Sequence, residues 1–313
     1  MVDLKLNIPD SFLEEEERSG YTISRQMKEV WAVQLDLLAE FDRVCRKHNI
    51  VYIASGGTML GAVRHHGYIP WDDDMDLMMM RDQYEKLCEV APSEFKHPYF
   101  FQTEKSEPGM RRWFARLRNS ETTAIQKKEQ HFYDTCNQGI FIDIFPMDSV
   151  PDQEKDFRSQ SKKISFYQYL YLGLNLVGYA FWRDNEPIFK KIFYQVFHML
   201  FGKLIRFFHI REWAYKKVND ISQLYNNQET NLISLLSFQP LNLGHALRRS
   251  DMDEIKYVDF EFLKMPITAN YDEHLRRKYG DYMTPTKNPN YHGELIFDTN
   301  ISYDKYYQLH PEL

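Results

Sequence analysis

The chain has 313 residues, a formal net charge of −6 and hydrophobic residues at 43% of its positions. This length is enough for one large domain or two smaller ones with a sizeable core. The negative charge argues against a polynucleotide partner, because binding through nucleic-acid phosphates needs an excess of Lys and Arg. A single nucleotide needs a local basic pocket alone and is therefore not excluded.

Three widely spaced cysteines, Cys45, Cys88 and Cys136, form no Cys-x-x-Cys pair. This pattern argues against a zinc site and against a disulfide framework. The first residues lack a basic stretch followed by an apolar run, so we expect no signal peptide. These features favour a cytoplasmic enzyme.

The first regular element that the sequence predicts is a helix that begins after Ser24. Apolar residues from Met27 to Cys45 recur at steps of three and four positions, which is the spacing of one helix face. Ser24 is the expected N-cap, and the helix should end near residues 48–49. The polar residues 1–20 that precede it are predicted to form a surface arm.

A short apolar strand, a glycine turn and a helix are predicted in succession after this first helix. The apolar run 50–54 is typical of a buried strand. The adjacent Gly56 and Gly57 allow positive φ angles and a close approach by backbone N–H groups, and residues 58–66 have the composition of a short helix. Such a turn favours binding of an anion, because the N–H groups and the helix dipole both point at it.

Acidic residues follow this turn in the stretch Trp71-Asp72-Asp73-Asp74-Met75-Asp76. If residues 74–80 form a strand, Asp74 and Asp76 point from the same face, roughly 6.6 Å apart along it. Two carboxylates this close repel each other unless a cation lies between them. Oxygen ligands suit Mg²⁺ or Mn²⁺. The alternative is a solvated loop or helix cap, but the glycine turn just upstream favours the metal site.

One long motif joins the glycine turn to the acidic residues. Its residues are Gly56-Gly57-Thr58, Gly61-Ala62-Val63-Arg64-His65, Gly67, Ile69-Pro70-Trp71-Asp72-Asp73-Asp74 and Asp76. The motif strongly resembles the LicD family, which belongs to the nucleotidyltransferase-fold superfamily and includes the fukutin-type polyol-phosphate transferases. The resemblance implies an α+β fold: a nucleotidyltransferase-like mixed sheet flanked by helices, with an inserted aromatic-rich helical subdomain.

The resemblance also implies a reaction. Members of the family move a phospho-alcohol, such as phosphocholine or a polyol phosphate, from a CDP-activated donor to a hydroxyl group. The acceptor is a cell-surface glycan, such as teichoic acid or lipopolysaccharide, or its lipid-linked precursor. We therefore expect a CDP-alcohol donor, a saccharide acceptor and a Mg²⁺ or Mn²⁺ cofactor.

Three carboxylates are the expected catalytic and metal-binding residues: Asp74, Asp76 and Asp143. Asp143 lies in the apolar stretch 139–146, where a buried carboxylate needs a partner or a metal, and Pro146 is expected to end that strand. In nucleotidyltransferase folds a third carboxylate comes from a neighbouring strand, and by resemblance Asp143 matches this place. It is also the candidate base, or metal-held orienter, for the acceptor hydroxyl.

Substrate contacts are expected from the glycine turn and from basic residues. The expected substrate-binding residues are Gly56, Gly57, Thr58, Arg64, His65, Trp71, Arg116, Arg118 and His292. Arg116 and Arg118 alternate in a predicted strand, so they share a face on which two cations suit a diphosphate. A solvated outer face of a sheet is the alternative for this pair, and an ordinary surface histidine is the alternative for His292.

The middle of the chain is rich in Tyr, Phe and Leu. Residues 164–182 carry no formal charge, but polar residues and glycines interrupt the run too often to predict a membrane span. Residues 188–218 interleave aromatic residues with Lys and Arg. We favour a helical subdomain packed on the core; an amphipathic helix in peripheral contact with the cytoplasmic face of an anionic membrane is the alternative.

The sequence thus divides into three predicted segments. Residues 1–150 form the catalytic core, residues 151–250 a helical insertion, and residues 251–313 a segment that completes the core. Residues 270–283 predict a short helix with Gly280 as its C-cap, and the run 279–283 also resembles the C-terminal signature of the LicD family.

Two other functions stay open on the sequence alone. A true nucleotidyltransferase has the same metal site, but it adds the nucleotide itself to a small molecule or a protein. A non-catalytic, membrane-associated scaffold is compatible with the aromatic middle segment.

Overall fold

The structure is a computed structural model that describes residues 1–126, 136–175, 196, 209–286 and 295–311. The chain divides into two compact units, the first formed by Met1–Met147 and Leu247–Leu313 and the second by Asp148–Ala246. His292 and most of residues 188–218 lie outside the described residues, so the predictions made for them stay predictions.

The described elements are as follows. The strands are β1 (Glu16–Arg18), β2 (Tyr21–Ile23), β3 (Ile53–Ala54), β4 (Asp76–Met80), β5 (Tyr99–Gln102), β6 (Ala115–Asn119), β7 (Thr123–Gln126), β8 (Ile140–Val150), β9 (Leu232–Ser234), β10 (Leu247–Arg248), β11 (Ile255–Phe260), β12 (Leu263–Thr268) and β13 (Leu295–Asp298). The helices are α1 (Arg25–Lys47), α2 (Gly56–Arg64), α3 (Arg81–Glu94), α4 (Glu154–Asn175), α5 (Ile210–Ser222), α6 (Tyr271–Tyr279) and α7 (Tyr303–Leu309), with 3-10 turns at Asp10–Leu13, Leu243–His245 and Arg249–Met252.

A mixed sheet lies at the centre of the first unit. Its strands follow the order β3-β4-β8-β6-β5. β4 and β8 run parallel, whereas β3, β6 and β5 each pair antiparallel to their neighbours. Together with the helices of the unit, this sheet confirms the predicted α+β fold class.

Helix α1 supplies much of the core that supports the sheet. It begins after Ser24, whose hydroxyl accepts a hydrogen bond from the N–H of Met27 at 3.3 Å, as an N-cap does. Trp31 and Phe41 of this helix are fully buried, and each large apolar side chain buried in this way stabilises the fold by roughly 1.5–3 kcal/mol. The helix predicted from the apolar spacing is confirmed.

Strand β8 continues through Pro146, where the sequence predicts its end. The N–H of Asp143 donates to the carbonyl of Met75, at 2.8 Å on the β4 side, and successive N–H groups of a strand alternate between its two edges. Residue 146 therefore faces the edge away from β4, and β6 has stopped pairing there at Ile144. The proline removes no ladder hydrogen bond at this position, so the strand does not end.

The N-terminal residues lie on the surface, where all of residues 1–20 except Phe12 are exposed or half-buried, but specific contacts attach them to the first unit. The N–H of Leu6 donates to the Asp36 carboxylate at 2.7 Å. Strands β1 and β2 form a hairpin, and Arg18 in it donates to the Glu261 carboxylate at 2.8 Å. These partners are distant in the sequence, so no local pattern of the first residues could predict the contacts.

Glycines allow α2, the loop after it and the β11–β12 hairpin to approach one another closely. A Cβ built on Gly61 would lie 2.4 Å from the carbonyl oxygen of Gly67, and one built on Gly67 would lie 2.0 Å from Oε1 of Glu261. The Glu261 carboxylate is itself held there, because it also accepts from the N–H of Tyr68 at 3.0 Å. A larger residue at either glycine position would have to displace these groups.

The second unit is formed by α4, α5 and the short strand β9. The side chain of Gln160 joins the two helices by donating to the carbonyl of Ile221 at 2.9 Å. β9 pairs antiparallel with the last three residues of β8, Asp148 to Val150. Among the residues that the structure describes, no helix combines the length and the apolar character that crossing a membrane requires.

Replacing Gly67 by Ala should lower the free energy of unfolding by about 1–3 kcal/mol, because the added methyl group overlaps the Glu261 carboxylate. In a Glu261→Ala background, the same change should lower the free energy of unfolding by clearly less, because the carboxylate that the methyl group overlaps is absent. Urea denaturation of the four proteins of this double-mutant cycle measures the coupling. An equal cost of Gly67→Ala in both backgrounds would contradict the assignment.

Candidate active site

Four polar residues form one row across the central sheet. Asp76 of β4 lies opposite Asp143 of β8, and Arg116 of β6 lies opposite Asp143 on its other side. Gln102 of β5 continues the row opposite Arg116. Side chains directly opposite each other project from the same face, and neighbouring strands are roughly 5 Å apart. The structure therefore brings two of the predicted catalytic acids side by side.

Arg116 binds the Asp143 carboxylate through both of its oxygens. Nε donates to Oδ1 at 2.6 Å and Nη2 donates to Oδ2 at 3.3 Å. Both residues are 7% exposed, so the pair meets the requirement that a buried carboxylate has a partner. Because the guanidinium occupies a lone pair on each oxygen, this geometry favours Asp143 as an orienter of the acceptor hydroxyl over Asp143 as a base.

Arg118 shares the face of Arg116, as the alternation predicts, but this face is not a solvated one. Arg118 is 6% exposed, and it donates to the side chain of Gln102 and to the carbonyl of Gly139, each at 2.6 Å. The guanidinium carbons of Arg116 and Arg118 lie 3.7 and 4.9 Å from the ring centroid of Phe141. Both guanidinium groups are thus buried against one face of the sheet. Their role in binding a diphosphate stays a prediction.

The glycine turn holds the backbone of Asp76 on both sides. The hydroxyl of Thr58 accepts from the N–H of Asp76 at 2.8 Å, and the N–H of Ser55 donates to the carbonyl of Asp76 at 2.9 Å. Gly56 has a φ of 50°, a left-handed conformation that favours glycine. These contacts with the start of α2 therefore fix the backbone of Asp76, from which its carboxylate projects.

The acidic loop before β4 brings three carboxylates together. One oxygen from each of Asp72, Asp73 and Asp74 lies within 4.8 Å of the other two. Two side chains of α1 hold the loop by its backbone, since Trp31 donates to the carbonyl of Asp72 at 3.1 Å and Gln34 to that of Asp73 at 2.9 Å. A set of carboxylate oxygens in this arrangement suits Mg²⁺ or Mn²⁺.

This grouping differs in part from the predicted metal set. β4 begins at Asp76, so Asp74 lies in the loop and is not on the predicted strand. Asp74 belongs both to the predicted metal set and to the observed group of loop carboxylates. The other two predicted ligands, Asp76 and Asp143, lie opposite each other on neighbouring strands. The metal set of Asp74, Asp76 and Asp143 stays a prediction, and the structure adds Asp72 and Asp73 as candidate ligands.

Asp72 also lies against the first turn of α2. A Cβ built on Gly57 would lie 2.8 Å from Oδ2 of Asp72, so any larger residue at this position would require the Asp72 carboxylate to shift. A carboxylate close to a helix N-terminus is stabilised by the helix dipole. The glycine turn and the acidic loop are therefore parts of one arrangement.

Arg64 and His65 sit at the opposite end of α2. Nε of Arg64 donates to Nε2 of His65 at 2.9 Å, and Nη1 donates to the carbonyl of Tyr282 at 2.8 Å. Burial, followed by the charge of Arg64, lowers the pKa of His65 to about 4. The imidazole is therefore neutral near pH 7, with its proton on Nδ1. The ring of Trp71 lies edge-on to it, with the centroids 6.4 Å apart.

The C-terminal end of α6 reaches the acidic residues. Burial lowers the pKa of Lys278 to about 8, against the opposing charge of Asp76. Burial, then the charges of Asp76 and Asp72, raises the pKa of Tyr279. Neither residue was predicted as part of the site, although the sequence places Tyr279 in the run that resembles the family's C-terminal signature.

Replacing His65 by Gln should reduce the acid sensitivity of the fold. The folded pKa of about 4 lies below the ordinary 6.5, so between these values the unfolded chain binds a proton that the folded chain does not. Stability is therefore lost as the pH falls through this window. Thermal denaturation between pH 7 and 4.5 measures the effect, with exposed His97→Gln as the control. A melting temperature that falls equally in the wild type and His65→Gln would contradict it.

Comparisons with known proteins find similarity to the family that the motif resembles. Residues 49–182 match the family described as LicD/FKTN/FKRP, nucleotidyltransferase domain. The chain is 28% identical over 262 residues to the lipopolysaccharide cholinephosphotransferase LicD of Haemophilus influenzae, covering 82% of this chain and 91% of that protein. It is also 41% identical over 56 residues to an uncharacterised protein of Rickettsia prowazekii, a stretch that covers 18% of this chain and 21% of the relative.

The matched segment contains the glycine turn, the acidic loop and the three strands that carry Asp76, Asp143 and Arg116. The similarity that the motif predicts is therefore confirmed. Residues 49–182 are similar to the LicD/FKTN/FKRP nucleotidyltransferase domain, and the chain is similar to a LicD protein over most of its length.

Proposed function

We propose that this chain is a phosphotransferase that moves phosphocholine, or a related phospho-alcohol, from a CDP-activated donor to a saccharide hydroxyl. The observation that carries the proposal is the register of Asp76, Asp143 and Arg116 beside the glycine turn. The family match supports a transferase of this type. The name of the Haemophilus relative supports choline phosphate as the transferred group and lipopolysaccharide as the class of acceptor.

The acidic loop fits a divalent cation on the chemistry of its donors. Asp72, Asp73 and Asp74 supply oxygen atoms that already lie within 4.8 Å of one another, and Asp76 follows at the start of β4. These four residues, with Asp143 as the predicted further ligand, would hold Mg²⁺ or Mn²⁺. When bound, such an ion offsets the negative charge of a diphosphate and stabilises the oxygen that leaves.

The residues of the chain have separate tasks in the proposed reaction. The N-terminus of α2, with its backbone N–H groups and dipole, favours a phosphate of the donor. Arg64 adds positive charge at the other end of this helix. Asp143, held by Arg116, accepts a hydrogen bond from the acceptor hydroxyl and so orients its oxygen towards the phosphorus.

The proposed transfer balances as a substitution at phosphorus. The hydroxyl oxygen forms a bond to the phosphorus that bears the alcohol, and the bond from that phosphorus to the bridging oxygen breaks. CMP leaves with the bridging oxygen and its electron pair, and the hydroxyl proton passes to solvent or to a carboxylate of the site. An ordinary nucleotidyltransferase would instead attack the phosphorus next to the nucleoside and leave the nucleotide on the product.

Mass spectrometry of the product separates these two outcomes. Incubation with CDP-choline, Mg²⁺ and an oligosaccharide from lipopolysaccharide should give a product heavier by one phosphocholine unit, with CMP released. A product heavier by one cytidylyl unit would support the nucleotidyltransferase alternative. An acceptor of unchanged mass, with the donor intact, would contradict both.

Replacing Asp76 or Asp143 by Asn should lower kcat for transfer by at least about 100-fold, because the charge that holds or orients the reacting groups is lost. Steady-state release of CMP measures the rate, and circular dichroism confirms the fold. Glu154→Gln, an exposed acid of the second unit, is the matched control and should retain full activity. Transfer at the wild-type rate by a folded Asp76→Asn protein would refute the assignment.

A further inference from the structure

We propose that a cleft between the N-terminal arm and α2 binds a sugar ring of the acceptor saccharide. This inference rests on the proposed function and concerns the same reaction. The cleft, here called the arm cleft, has a volume of about 610 Å³ and is lined by residues that include Phe12, Glu16, Arg18, Lys28, Arg64 and Glu261. All of these residues belong to the first unit.

The walls of the arm cleft are held by a network of ion pairs. Arg18 donates to Glu16 at 2.9 Å and to Glu261 at 2.8 Å. Lys28 of α1 forms a close pair with the same Glu16, and it is 2% exposed. A site whose walls are fixed in this way loses little conformational entropy when a ligand binds.

Most of the charges in the arm cleft are paired, which suits a neutral, hydroxyl-rich ligand. Arg18 and Lys28 are paired with Glu16 and Glu261, so a phosphate bound to these two cations would have to displace a carboxylate. The third cation of the lining, Arg64, donates to His65 and to the carbonyl of Tyr282. A sugar ring does not need to break these pairs. Its hydroxyl groups both donate and accept, so they can bond to carboxylate oxygens and to guanidinium N–H groups at once.

Aromatic residues provide an apolar part of the same lining. The rings of Phe12 and Phe262 meet edge to face, with centroids 5.1 Å apart, and both residues line the cleft. An apolar surface next to a few fixed polar groups is the usual composition of a small-molecule site. The apolar C–H face of a sugar ring fits the aromatic surface, and its hydroxyl groups fit the fixed polar groups.

The arm cleft lies near the acidic loop. Arg64 and His65, at the end of α2, line the cleft. The ring of His65 lies edge-on to that of Trp71, with centroids 6.4 Å apart, and Trp71 directly precedes Asp72 of the acidic loop. A sugar in the cleft would therefore lie close to the loop that is proposed to hold the donor.

A bulky substitution at the mouth of the cleft tests the inference. Ser11 is exposed and lines the cleft, so Ser11→Trp fills the space without removing a buried group. With CDP-choline and a lipopolysaccharide oligosaccharide, this variant should raise KM for the saccharide at least about fivefold, or roughly 1 kcal/mol. Its kcat and its KM for CDP-choline should stay within about twofold of the wild type.

Two further variants serve as control and support. Glu14→Trp places the same side chain on an exposed position of the arm that is not part of the lining, and it should leave KM for the saccharide unchanged. Phe262→Ala removes one of the two aromatic rings and should also raise that KM. If Ser11→Trp and Phe262→Ala, both folded by thermal denaturation, leave it unchanged, the inference is overturned. A rise in the KM for CDP-choline instead would assign the cleft to the donor and overturn it as well.

Direct binding separates this inference from the proposed function. Isothermal titration calorimetry with the same oligosaccharide and no donor should show weaker binding to Ser11→Trp than to the wild type or Glu14→Trp. Binding that is weakened in this way, without any transfer by the wild type, would contradict the proposed function and support the cleft. If the wild type transfers phosphocholine but all three proteins bind the oligosaccharide equally, the saccharide site in the arm cleft is contradicted and the proposed function is not.

Discussion

The buried pair of Arg116 and Asp143 is the interaction on which the rest of the site depends. A carboxylate and a guanidinium that are both almost fully buried require each other, because removal of either would leave an uncompensated charge in the sheet. The pair also fixes strand register, since a shift of one residue would turn Asp143 to the opposite face. Asp76 lies opposite Asp143 on the other side, so the same register decides where the second acid stands.

The surroundings of this row restrict it further. Thr58 and Ser55 bind the backbone of Asp76, and α1 holds the acidic loop through Trp31 and Gln34. All of these contacts come from elements that precede the acids in the sequence. A group of like charges is costly to assemble, and here the cost is offset by backbone hydrogen bonds and by packing that do not depend on the carboxylates themselves.

The sequence predicts the parts of this site that depend on local patterns. The spacing of apolar residues identifies α1, the paired glycines locate the start of α2, and an acid in an apolar strand identifies Asp143 as a residue that needs a partner. That partner, Arg116, was expected to bind substrate, because strand pairing between residues so far apart in the chain is not visible in the sequence.

Contacts made by loops and termini could not be predicted for a similar reason. The grouping of Asp72 with Asp73 and Asp74 depends on a loop conformation that α1 imposes. Lys278 comes near Asp76 because helix α6 returns to a strand that lies about 200 residues earlier in the chain. Pro146 was expected to end β8, but its effect depends on which edge of the strand is paired. In each case the deciding information is tertiary.

The most direct test of the account is the position of a manganese ion in crystals grown with Mn²⁺ and CDP-choline, located by its anomalous scattering. The account predicts an ion bound by carboxylate oxygens of the loop 72–74 and Asp76, with the donor diphosphate between it and the N-terminus of α2. An ion and a diphosphate bound on the other face of the sheet, away from Asp76 and Asp143, would contradict it.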